Sequence, residues 1–226
     1  MIPYRLNPIG SGWPREGSYG VFLTSSGTAV SSAIVMSGAI VSGPDHVQTV
    51  YSHGTARETV ISGGTMFVSS GGSAAYTQIK SGGTMFVREG SADNTVISGG
   101  YLIVNDAKVS NISLLNSAAY LSVSSGGTAI RTNITGGWNG VYSGGITISA
   151  TLNSGGRQNV SAGGITTASI IKANGRQNVN VGGTAFATAV SSGGSLVVVS
   201  GGTALSVTSK TGAVINSAAG AVITYA

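Results

Sequence analysis

Apolar residues recur along this chain at fixed distances from paired glycines. The hexamer GGTMFV begins at Gly63 and again at Gly82, with apolar side chains at alternate positions, Met66 and Val68, then Met85 and Val87. Taking the second glycine of each pair, or its stand-in, as an anchor gives Gly64, Gly83, Gly100, Ala119, Gly137, Gly156, Gly175, Gly194 and Gly212, in steps of 17 to 19 residues. Four residues after the first eight anchors stand Val68, Val87, Val104, Val123, Val141, Val160, Val179 and Val198. Two residues after them stand Met66, Met85, Leu102, Leu121, Asn139, Gln158, Gln177 and Leu196. Alternate residues of a strand point to one face, so these two columns share a side.

A second glycine mark follows eight residues after many anchors, at Gly72, Gly145, Gly164, Gly183 and Gly202. It divides each unit into a short arm and a longer arm. Three residues before the glycine pair, the longer arm carries Ile79, Val96, Leu115, Leu152, Ile171 and Val190. Apolar and mostly β-branched residues at fixed phase between glycine turns predict strands, and no window holds the i, i+3, i+4 spacing of a helix. Self-similarity at a fixed short period predicts a solenoid. The expected fold is all-β, a parallel β-solenoid of about eleven coils, roughly 50 Å long at the spacing of neighbouring strands. Each residue then lies over its counterpart one coil away. The valines form the core, and glycine takes the corners that need positive φ.

The pattern sets the expected domain organisation. Residues 1–20, with Trp13, Tyr4 and Tyr19, do not fit the period and are expected to cap the open N-terminal edge. Residues 21–53 carry irregular first coils, and residues 54–226 the regular repeats. The N-terminal MIPYRLNPIG has no apolar core of a signal peptide. The C-terminal AGAVITYA ends on a strand with no visible cap, so either more coils or another chain is expected to follow it. No run of about 20 apolar residues predicts a membrane helix.

Composition narrows the chemistry. Of 226 residues, 37 are glycine, none is cysteine and 8% are charged. All six acids (Glu16, Asp45, Glu58, Glu89, Asp93, Asp106) precede Ala107, while Lys108, Arg131, Arg157, Lys172, Arg176 and Lys210 follow without one. Glycan cleavage needs paired carboxylates, and so few acids predict no enzyme. His46 and His53, the only histidines, lack the companions of a metal site, so no metal or cofactor is expected. Nucleic acid is excluded by the lack of dense basic stripes. A threonine column that would suit ice (Thr65, Thr84, Thr128, Thr184, Thr203) is broken by Tyr101 and Tyr120. GGRQNV at Gly155–Val160 and NGRQNV at Asn174–Val179 place Arg157 over Arg176, Gln158 over Gln177 and Asn159 over Asn178. Stacked amides form ladders, and stacked arginines suit an anionic partner such as lipopolysaccharide. Trp138 is a further surface candidate, expected to cover a neighbouring coil.

The [ST]GGT-x-x-V-x-x-GG unit, running from Gly54 to the C-terminus, resembles the repeat of AIDA-type self-associating autotransporter adhesins. The resemblance implies a right-handed, single-stranded parallel β-helix shown on a Gram-negative cell surface. It implies adherence, aggregation or biofilm formation, with copies of itself or host-surface glycans as partners. It also implies a glycosyltransferase acting on repeat serines, which here would be Ser62, Ser69, Ser70, Ser81 and Ser98. A structural subunit stacked end to end into a filament is the alternative.

Overall fold

The computed structural model describes residues 20–25 and 28–226, with side chains from residue 34 onward in the second of these stretches. Among them there is no helix. The chain is a parallel β-solenoid in which most coils carry three strands; in Lys108–Leu114, Thr128–Ile134 and Thr203–Ser209 the second and third run on as one. One coil shows the plan: a strand at Thr65–Val68, a second at Ser73–Ala75 and a third at Gln78–Lys80. The first belongs to a twelve-stranded sheet built from the short arms, and the other two to a sheet built from the long arms. Five side chains of this coil point inward, Met66, Val68, Ala74, Thr77 and Ile79, none more than 1% exposed.

Ten short-arm strands, from His46–Val50 to Val214–Ser217, are paired in parallel one after another. That is one coil fewer than the period predicts. The reason lies in Val21–Ser25 and Thr28–Ala33, which pair antiparallel instead of forming a coil. Strand β1 (Val21–Ser25) runs antiparallel to His46–Val50 on one side and to β2 (Thr28–Ala33) on the other. This pair thus covers the first short-arm strand, whose edge would otherwise be open to pairing. Val21 is fully buried, and Phe22 meets Tyr51 edge to face at 5.4 Å. The predicted cap in residues 1–20 lies outside the described residues except for Gly20.

Like residues lie over like. Val50, Val68, Val87, Val104, Val123, Val141, Val160, Val179 and Val198 are paired in unbroken register. The eight valines from Val68 to Val198 are at most 1% exposed. Fully burying one such side chain contributes about 1.5–3 kcal/mol. A column absent from the sequence reading lines the second strand: Ala56, Ala74, Ala92, Val109, Ala129, Thr147, Thr166, Ala185 and Ala204, all buried.

Three readings of the long arm and its turns are corrected. The buried column of the third strand runs through Ile97 and Leu114, not Val96 and Leu115: Ile79 pairs with Ile97, Leu114 with Ile134, and Leu115 is half exposed. The 17-residue coil has lost a turn residue and the turn at Leu115–Ala119 has gained one, so counting back from the glycines slips by one. At the far end the anchor is Ala213, not Gly212, because Ser195 pairs with Val214.

The anchor glycines are also not the positive-φ residues. In the turn Ser154–Gly156, Gly155 has φ +95°, whereas Gly156 has no left-handed φ, and a Cβ on it would lie 2.0 Å from the carbonyl oxygen of Ile134 one coil away. The first glycine serves conformation and the second serves close approach of backbones. The third bend is a glycine only in the first coil, at Gly38. Thereafter it falls on left-handed Glu58, Tyr76, Asn94, Asn111, Arg131, Ser149, Ala168, Ala187 and Ser206 in turn.

Candidate functional site

The short-arm sheet buries one face and leaves the other to solvent. Because its strands are in register, outward residues also form columns. The residue after each anchor gives Thr65, Thr84, Tyr101, Tyr120, Trp138, Arg157, Arg176 and Ser195, each paired with the next. Two residues on, the parallel column gives Phe67, Phe86, Ile103, Ser122, Gly140, Asn159, Asn178 and Val197. Aromatic rings fill the first half of this face, and arginines and amides the second.

The rings are held in defined poses. Phe67 and Phe86 are stacked at 5.2 Å and 11°. Tyr101 and Tyr120 are tilted by 53° with centroids 6.0 Å apart. The Tyr120 hydroxyl hydrogen-bonds the hydroxyl of Tyr142, which folds back over the sheet. Gly140 makes room for this: a Cβ there would sit 2.6 Å from the Tyr142 ring and 2.8 Å from the Tyr120 hydroxyl. Burial, and then the bond to Tyr142, push the Tyr120 phenol well above its ordinary range, so it stays neutral at physiological pH. The Arg157 guanidinium lies 5.0 Å from the centre of the Trp138 ring, a cation–π contact. One coil on, Arg176 Nε donates to Asn178 Oδ1 at 2.7 Å, and Asn178 Nδ2 donates to Asn159 Oδ1 at 2.7 Å.

The predicted residues fall in three places. Arg157 and Arg176 lie on this face in adjacent coils, both exposed, as do Asn159 and Asn178. Gln158 and Gln177 are inside, where they continue a buried amide ladder. Gln158 Nε2 donates to Asn139 Oδ1 at 2.8 Å, and Gln177 Nε2 to Gln158 Oε1 at 2.7 Å. Ser169 and Thr188 donate to the two glutamine carbonyls at 3.3 and 3.1 Å. Of the serines, Ser70 and Ser81 are exposed in glycine turns, Ser62 and Ser98 are half-buried at strand ends, and Ser69 donates its hydroxyl to the Val50 carbonyl at 3.0 Å.

The long-arm sheet holds two lesser features. The Asp93 carboxylate accepts from Ser110, Asn111 and Asn94 at 2.5, 2.7 and 2.6 Å, and chiefly the Ser110 bond holds it below the usual carboxylate range. A shallow groove of about 610 Å³ is lined by Arg131, Asn133, Ser149, Asn153 and Lys172, among others. Among the described residues no three His, Asp or Glu side chains come together as metal ligands, and no helix is long and apolar enough to cross a membrane. Chemically, the short-arm face offers stacking surfaces, amides and two guanidiniums in line, the equipment for holding a surface or an extended molecule.

Sequence reading assigned the arginines of this face but not the aromatic strip as a whole. Tyr101 and Tyr120 stood out as breaks in a threonine column, and Trp138 as a member of a column of threonine, tyrosine and arginine, without the rings being joined into one strip. Aligning the residue after every anchor is the signal that joins them to Trp138 and Arg157.

No family model matches the chain, and no curated protein matches it in sequence. Among solved structures, a TibA fragment hyper-glycosylated by TibC superposes with a TM-score of 0.67 at 32% sequence identity, over 84% of this chain and 84% of the fragment.

Proposed function

Since the chain belongs to the same family as TibA, judged by that identity over most of both chains, we propose that it is a non-enzymatic adhesin module displayed on a cell surface. It holds cells to one another or to a host through the outward face of its short-arm sheet. The observation that carries this reading is the in-register column Tyr101–Tyr120–Trp138–Arg157–Arg176. Tyrosine, tryptophan and arginine are the residues that dominate binding energy at protein surfaces, and here they are gathered on one flat wall.

The TibA fragment is glycosylated by TibC, and the same modification is proposed for this chain. Accessibility ranks the candidate serines: Ser70 and Ser81 are open, Ser62 and Ser98 less so, and Ser69 has its hydroxyl engaged.

One experiment tests both parts. The chain is displayed on a non-aggregating bacterium, with and without TibC, and cell settling is followed alongside mass analysis of the displayed protein. Displaying cells are expected to clump or to adhere to epithelial monolayers. The triple variant Tyr101→Ser, Tyr120→Ser, Trp138→Ser, checked to melt like the parent, is expected to stay dispersed. With TibC, added mass is expected on Ser70 and Ser81 before Ser69. Cells that display the parent chain and neither clump nor adhere would overturn the adhesin reading, and mass concentrated on Ser69 would overturn the ranking.

A further inference from the structure

The two arginines of the short-arm face carry charge that no described residue neutralises. They are stacked one coil apart, both exposed, and no carboxylate pairs with either among the described residues. No acid occurs anywhere after Asp106. Like charges in such proximity repel unless an anion lies across them. On the same column, toward the N-terminus, come the rings of Trp138, Tyr120 and Tyr101. At about 4.8 Å per coil these five positions make a straight track about 19 Å long, parallel to the solenoid axis. Of its rings Tyr101 is half exposed and Tyr120 and Trp138 are partly exposed, and the amides of Asn159 and Asn178 flank its charged end.

From this geometry we propose that the track binds an acidic polysaccharide laid along the axis. The proposal rests on the adhesin reading and names the ligand class of the same face. A pyranose ring has an apolar C–H face and a rim of hydroxyls. The face suits stacking on tyrosine and tryptophan, and the rim suits the amides. Carboxylate or sulfate groups on the chain meet Arg157 and Arg176, and Arg157 is already oriented by its contact with Trp138. A planar guanidinium matches such oxyanions with two parallel hydrogen bonds. A small anion satisfies only the arginines and a neutral glycan only the rings; a charged chain satisfies both. The long-arm groove has cations but no aromatic residue in its lining, so it lacks half of this recognition.

The purified chain is titrated calorimetrically with heparin, with polygalacturonate and with neutral dextran, each at low and high salt. The sulfated and carboxylated arms separate the two sources of negative charge. Binding of at least one acidic polymer is expected, at least tenfold tighter than dextran and weakening as salt rises. Arg157→Ala with Arg176→Ala is expected to cost tenfold or more and to flatten the salt dependence. Trp138→Ala is expected to weaken binding, with Trp138→Phe restoring much of it. Lys108→Ala with Lys172→Ala, which removes as much charge away from the track, is expected to leave affinity unchanged. Thermal melts of each variant identify any loss caused by unfolding. Dextran binding as tightly as both acidic polymers, no binding of either, or equal losses from the lysine and arginine pairs would overturn the proposal. If displaying cells still adhere while no acidic polymer binds, only this inference fails and the adhesin reading stands.

Discussion

Two adjacent glycines at one turn do different work, and substitution separates them. A Cβ at position 155 meets open space, but its φ of +95° strains any L residue. Gly155→Ala is expected to cost about 1–2 kcal/mol, the usual penalty for left-handed backbone. At position 156 the Cβ would fall 2.0 Å from a backbone oxygen of the preceding coil, which cannot rotate away. Gly156→Ala is therefore expected to destabilise by several times the cost at 155, read from paired denaturant melts; equal losses would mean the turn is not packed as described. Sequence reading found the glycine pairs and expected positive φ at the corners, but not which member holds it, because spacing marks a turn without saying which atom is crowded. The third bend was illegible for a related reason. Glu58, Tyr76, Arg131 and Ala187 share a left-handed φ and no chemistry; only Asn94 and Asn111 are types that favour it.

At the scale of a strand, the interior couples positions eleven residues apart. Thr59 Oγ1 donates to Gln48, Ser169 to Gln158 and Thr188 to Gln177, all across the bore from short-arm strand to long-arm strand. Where the earlier position is Met66 or Leu121, the threonine eleven residues on, Thr77 or Thr132, has no hydrogen-bond partner. A buried hydroxyl left unpaired costs about 1–3 kcal/mol, and removing a partner from a buried amide costs a similar amount. Opposite signs are thus expected for one chemical change: Thr132→Val should raise stability by about 1 kcal/mol, while Thr188→Val, which orphans Gln177 Oε1, should lower it by at least as much. Differential scanning calorimetry of the two variants checks this, and shifts of the same sign would refute the pairing. The amide ladder was legible because Gln158 and Gln177 occupy the inward column of leucines and methionines. The alanine column was not, since alanine is too small to signal burial and Val109, Thr147 and Thr166 interrupt it.

Stacking ten coils turns single residues into surfaces. A column is a wall because every coil repeats the register, so one insertion or deletion in a turn is absorbed there and leaves the wall intact. The 17-residue coil keeps Thr84 over Tyr101 and Met85 over Leu102 despite its missing residue. Both the apolar spine and the outward track from Tyr101 to Arg176 depend on that register, and so does the function proposed for the track. The chain's lack of cysteine permits a direct test with paired nitroxide spin labels on introduced cysteines. Labels at Asn159→Cys and Asn178→Cys should sit about one strand spacing apart, and labels at Asn159→Cys and Val197→Cys about twice that. The account predicts strong dipolar broadening of the electron paramagnetic resonance spectrum for the first pair and markedly weaker broadening for the second. A first pair whose spectrum equals the sum of the two singly labelled chains would contradict it.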